Sequence, residues 1–116
     1  MIDLAKRAVA CPRWRWIRGM RVIVETKHGT LMLMRVPEQT WPGEHWLSAP
    51  GDLPDFNDAA TVGCLAALVR EVLQKPHLFA GFYLDDAWSI CDHHEHLSGF
   101  RSSEAEAWIE ALEAAP

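Results

Sequence analysis

DFNDAATVGCLAALVREVLQKP, residues 55–76, is the longest stretch of the chain with one clear period and a defined start and stop. It predicts the central helix, against which the rest packs. Asn57 and Asp58 are candidate N-caps, because their side chains accept hydrogen bonds from the open N–H groups of a first turn. Val62, Leu65, Val69 and Val72 recur at helical spacing, and Leu68 and Leu73 widen the stripe. Gly63, Ala66 and Ala67 are small and predict a close approach to a sheet. Gly63 costs about 1 kcal/mol in helix propensity, so a packing reason is expected. Pro76 stops the helix, having no N–H and disfavouring helical geometry at Lys75. Arg70, Glu71, Gln74 and Lys75 form the wet side.

After this helix, residues 77–84 are short and aromatic, with Leu78, Phe79, Phe82 and Tyr83. Asp85-Asp86 makes a turn. Residues 87–92 read as a strand with Trp88 and Ile90 inward, and His93-His94-Glu95 as a second turn. Residues 96–101 return as a paired strand. Ser103 then opens the last helix in a capping box, with Glu106 three residues on. Ala105, Trp108, Ile109 and Leu112 form its inward stripe. Glu104, Glu106, Glu110 and Glu113 face water, and the acidic first turn suits the helix dipole.

Before the central helix lies PEQTWPGEHWLSAPGDLP, residues 37–54, with four prolines and two glycines. A connection this long is either functional or packed down as a compact loop. Trp41 and Trp46 are its anchors. It is read as the partner-contacting loop, against the alternative that its tryptophans cover an open core edge. Residues 21–36 are the best hairpin signal: β-branched residues, a His28-Gly29 turn, then Leu31-Met32-Leu33-Met34. Met32 and Met34 share one face and Leu31 and Leu33 the other. The methionine pair is either core packing or an adaptable partner surface.

Arg13-Trp14-Arg15-Trp16-Ile17-Arg18 admits two readings. Arg13, Arg15, Arg18 and Arg21 could meet phosphates while the indoles stack on bases. Alternatively, the tryptophans pin the first helix to the core and the arginines stay wet. Residues 2–10 read as that helix, with Leu4, Ala5, Ala8 and Val9 on one face. The expected architecture is α+β, roughly α-β-β-α-β-β-α, with an antiparallel sheet packed against the central and C-terminal helices.

At 116 residues the chain is expected to form a single domain, residues 1–116, with 49% hydrophobic and 23% charged residues. No apolar run reaches the length of a membrane span and no secretory h-region follows Met1, so a cytoplasmic location without membrane contact is expected. Cys11, Cys64 and Cys91 form no CxxC pair, which fits a reducing compartment. The net charge of −5 is unevenly spread. Residues 1–35 hold eight basic and two acidic residues, and the remainder three and fourteen. Either the two parts neutralise each other after folding, or they form two differently charged faces.

The most chemically suggestive cluster is Cys91-Asp92-His93-His94-Glu95-His96, all possible metal ligands. Cys91, His94 and His96 are the candidate set. The spacing matches no closed zinc pattern, and the competing reading is a solvated polar turn. No serine lies in a nucleophile elbow, Cys64 sits mid-helix among small apolar residues, and no glycine-rich phosphate loop is present. No catalytic residue and no cofactor are expected.

Trp14-x-Trp16-x-x-Gly19-Met20, residues 52–71 and the Glu104-Ala105-Glu106-Ala107 helix resemble a group of small proteins encoded by bacteriophages and prophages. More loosely, the chain is similar to phage proteins described as an α-β-α sandwich domain. The resemblance covers most of the chain and carries no established activity. A strand pair followed by residues 99–107 is also similar to the end of double-stranded-RNA-binding domains. There the final helix starts with lysines, whereas here Ser102-Ser103-Glu104 would repel a phosphate backbone.

The resemblance implies a non-enzymatic phage accessory protein that binds a host bacterial protein, such as an inhibitor of a defence system, an anti-CRISPR among them. Trp41, Glu44, Trp46, Asp52, Glu104 and Glu110 are the expected partner-binding residues, the acidic ones able to occupy a nucleic-acid groove on the partner. Nucleic-acid binding and a metal-binding domain are the alternatives. The sequence leaves the oligomeric state open.

Overall fold

The structure, a computed structural model, describes residues 2–37, 51–83, 85–93 and 95–116. Among them the chain order is α1 (Ile2–Ala10), β1 (Arg21–Glu25), β2 (Leu31–Arg35), β3 (Leu53–Pro54), α2 (Ala59–Val72), β4 (Phe79–Tyr83), β5 (Ala87–Cys91) and α3 (Glu104–Glu113). The class is α+β, as expected. In place of one sheet there are two, both antiparallel, with strand orders β2-β1-β3 and β4-β5.

Asp58 caps α2. Its backbone is extended, and its carboxylate accepts from Thr61 N at 3.1 Å and Thr61 Oγ1 at 2.8 Å. The Thr61 hydroxyl in turn accepts from Arg21 N at 2.8 Å, which ties the start of β1 to the start of α2. Thr61 is fully buried, beside Leu65, Ala66, Leu68 and Val69. The helix ends four residues before Pro76. Gln74 takes a left-handed φ of 55°, with Lys75 N bonded to Arg70 O and Gln74 N to Glu71 O. That is a Schellman stop, which closes the last turn without the proline.

The expected close approach at Gly63 is not found. Gly63 is exposed, and no described atom lies within 4 Å of where its Cβ would stand. Ala67 is exposed as well. The buried stripe centres on residues 61, 65, 68 and 69, which turns Gly63 to the wet side. Gly63→Ala should therefore raise the free energy of unfolding by about 1 kcal/mol, read by urea denaturation. No gain would place an unseen neighbour at that position.

The main core gathers buried residues of all three helices with Leu78 and Ile90. A smaller core holds Met20, Val22 and Val36. Trp14 and Ile17 pack on both. Trp14 stands edge-on to Trp16 at 5.4 Å and to Phe56 at 6.3 Å, while Arg13 and Arg15 stay exposed. Trp14 is thus packed between the two cores. The α3 stripe is buried as expected, and Ser103 Oγ accepts from Glu106 N at 3.1 Å.

Strands β1 and β2 pair with Ile23 opposite Leu33, and the loop between them closes with Gly29 at φ 77°. Val22 is buried beneath β1, but every residue of β2 is exposed, on both faces. Of the two readings of Met32 and Met34, core packing is therefore the one that the exposure of the strand does not support. α1 packs on β3 and α3, and α3 on α2 and β5, so β2 is left at the rim. Leu53 and Pro54, expected as loop, form a short strand on the other side of β1. Proline is tolerated there because the strand is an edge. Residues 96–101 do not form a full strand. They make two bridges to β5, Cys91 to His96 and Trp88 to Arg101, whose registers differ by two residues. The bulge between them turns Ser98 inward to accept from Ile90 N at 2.9 Å. No helix among the described residues is long and apolar enough to cross a membrane.

Candidate functional site

The uneven charge resolves into internal pairing. Arg7 meets Glu113 at 2.7 Å and Glu106 at 3.6 Å. Arg15 pairs with Glu71, Arg21 with Asp55 at 2.6 Å, and Arg35 with Asp58 at 2.9 Å. Arg13 Nε donates to the Pro116 oxygen at 2.8 Å. The basic first third thus folds onto acidic groups of the remainder. Each exposed pair contributes at most about 1 kcal/mol, but together they turn Arg13, Arg15 and Arg21 towards their own chain. Arg18 is exposed.

The expected acidic contact set is also divided. Glu104 is half-buried at the first turn of α3, and Asp52 is half-buried just before β3. Glu110 belongs to the fold. It accepts from Gly99 N at 2.7 Å and from Arg101 Nε, and the arginine bond holds its carboxyl below the usual glutamate range. The bulge at residues 97–100 brings Gly99 and Arg101 over α3. Trp41, Glu44 and Trp46 lie outside the described residues, as does His94.

Cys91 and His96 are brought together, with Cys91 Sγ and His96 Nδ1 3.2 Å apart. Among the described residues no group of three or more histidine, cysteine, aspartate or glutamate side chains gathers around a common point. The pair belongs to a hydrogen-bonded network. Ser89 Oγ lies 2.9 Å from His96 Nδ1 and 3.2 Å from Ser98 O, and Tyr83 OH lies 3.3 Å from Cys91 Sγ. One proton arrangement satisfies every group: His96 Nδ1–H donates to Ser89, Ser89 to Ser98 O, Tyr83 to Cys91, and Cys91 to Ser89 O. The bond to Cys91 holds the Tyr83 phenol above its ordinary pKa.

This network is the floor of an exposed aromatic face. Strand alternation puts Phe79, Gly81 and Tyr83 on the outer side of the hairpin, opposite the core-facing Ala80. Tyr83, His96 and Phe100 then form a triangle, with ring centroids 5.3 to 5.8 Å apart. Gly81 lies beneath it, where a Cβ would stand 2.9 Å from the Tyr83 ring and push that ring aside. Phe79 is 44% exposed, Tyr83 38% and Phe100 56%. Phe79 and Tyr83 are marked in the sequence as part of a short aromatic segment, without a strand assigned to it. The arrival of His96 and Phe100 depends on the bulge, which the sequence does not mark.

An open cleft of about 260 Å³ lies between Gln74–Leu78 and Asp92–His93. Its cation is already neutralised, since Lys75 Nζ lies 3.2 Å from Asp92 and 3.7 Å from Glu95. No family model, no curated protein and no solved structure matches this chain.

Proposed function

We propose that this chain is a non-enzymatic binding protein whose protein partner seats on the outer aromatic face of the β4–β5 hairpin. The observation that carries this reading is the triangle of Tyr83, His96 and Phe100, pre-ordered by hydrogen bonds from below yet open above. Rigid aromatic side chains lose little entropy on binding and dominate interface energetics. Exposed apolar patches of this kind mark protein contacts. The more specific form, an inhibitor of a bacterial defence system such as an anti-CRISPR, comes from the resemblance to phage proteins alone.

Affinity capture from a bacterial lysate, with and without nuclease, tests the reading when three chains are compared. The wild type should retain one dominant protein after nuclease treatment. Phe100→Ala should weaken that complex by about 30-fold, the effect of losing a central aromatic contact. Glu104→Lys should leave it unchanged. Loss with Glu104→Lys and retention with Phe100→Ala would move the contact to the acidic surface. Recovery of nucleic acid alone, lost on nuclease treatment, would overturn protein binding altogether. A defence effector as the captured protein would support the specific form.

A further inference from the structure

Among the described residues β2 is the outer strand of its sheet, and its polar edge can be read from the ladder. Thr26 N donates to Thr30 O at 2.8 Å and Val36 N to Met20 O at 2.8 Å, so residues 30, 32, 34 and 36 bond inward to β1. The backbone groups of Leu31, Leu33 and Arg35 therefore face outward. On either side the open edge ends. Gly29 N already donates to Thr26 O at 3.0 Å, and Pro37 has no N–H. Among the described residues, what remains is three donors and three acceptors, symmetric about Leu33.

The side chains on this edge are unprotected. Leu31 is 63% exposed, Met32 46%, Leu33 56% and Met34 44%. Edge strands usually carry charge, proline or a bulge to prevent pairing. Here the one charge within β2 is Arg35, whose guanidinium is held by Asp58 and by Gly19 O of its own chain.

We propose that the chain forms a twofold homodimer by antiparallel pairing of β2 with β2 of a second copy, centred on Leu33. In this register Leu33 faces its own symmetry mate and Leu31 faces Arg35, and all six open backbone groups on each strand are satisfied. Met32 and Met34 pair across the axis at the positions where opposing side chains approach most closely. A shift of two residues either way sets Arg35 against Gly29, or Leu31 against Pro37, and loses bonds. The two Arg35 residues stand at opposite ends of the pairing, about 13 Å apart along the strand, so no like charges meet. The result is a six-stranded sheet across both copies, with an isologous interface. This interface lies on the other sheet from the aromatic face and does not depend on the reading given above.

The test is sedimentation of the full chain across the micromolar range. Wild type should move from 13.1 kDa towards twice that mass as concentration rises. Leu33→Lys places two like charges together on the axis and should remain monomeric. Leu33→Glu should do the same, and an equimolar mixture of the two variants should recover the dimer. Circular dichroism of each variant checks that the exposed substitution leaves the fold intact. A wild type that stays monomeric throughout overturns the proposal. So does a dimer that survives Leu33→Lys, or a mixture of folded variants that fails to pair.

Discussion

Replacing Trp108 by alanine should lower the free energy of unfolding by about 3–5 kcal/mol, the usual cost of deleting a large buried aromatic. For a domain whose total stability is about 5–15 kcal/mol, that is a large share. Trp108 is 1% exposed and lies in the main core. The Arg70 guanidinium sits 5.3 Å from the centre of its ring, and Arg70 Nε donates to Leu78 O at 2.9 Å. The indole therefore joins α3 to α2 and, through Arg70, to the entry of β4. Trp108→Phe should cost much less. Trp108 Nε1 is buried without a hydrogen-bond partner among the described residues, and phenylalanine removes that orphaned donor, worth about 1–3 kcal/mol. Urea denaturation of both variants decides the matter. An alanine variant within 1 kcal/mol of wild type would show that the site collapses around the lost ring.

Much of the fold was legible because it rests on local rules. Asp58 and Ser103 cap helices where side-chain acceptors precede periodic stripes, and Trp88 and Ile90 point inward by simple alternation. What escaped the sequence depends on partners distant in the chain. Whether β2 is covered turns on where the helices pack, and no property of Leu-Met-Leu-Met reports that. The role of Glu110 needs Gly99 and Arg101 to arrive over α3. Charge asymmetry was visible, but its resolution into Arg–Glu and Arg–Asp pairs needed α1 set beside α3. The candidate site follows the same division. Phe79 and Tyr83 stand in a segment that the sequence marks as short and aromatic, whereas the triangle of Tyr83, His96 and Phe100 is completed by a bulge after β5.

The two exposed surfaces sit on different sheets, and this separation has a physical consequence. A chain paired through β2 would still present the β4–β5 aromatic face once on each copy. Two equivalent faces on a rigid dimer would bind a two-site partner with gain from effective concentration, without any new contact. The monomeric Leu33→Lys chain should then keep its single-site affinity while losing that gain.

Removing the Asp58 carboxylate should have the second-largest effect, because one side chain serves three elements. It caps α2 through Thr61, and it holds Arg35 at the end of β2. Through Thr61 it also supports Arg21 at the start of β1. The bond to Arg35, helped by the two bonds from Thr61, brings its pKa down from 3.8 to about 2. A depressed carboxyl stabilises the fold above its unfolded pKa, and that contribution fades as pH falls through the folded value. The window runs from about pH 4 down to about pH 2. The shift corresponds to about 2 kcal/mol, less whatever salt screens at the half-exposed Arg35. Asp58→Ala should therefore cost about 2–3 kcal/mol at neutral pH, including the lost cap. Asp58→Asn retains a good cap but not the charge, so it should cost less. Its stability should approach wild type as pH falls through 2 and fall behind it as pH rises to 4. Parallel stability curves for wild type and Asp58→Asn across that window would show that the arginine pair contributes nothing. In that case the helix cap alone would account for the cost of the alanine variant.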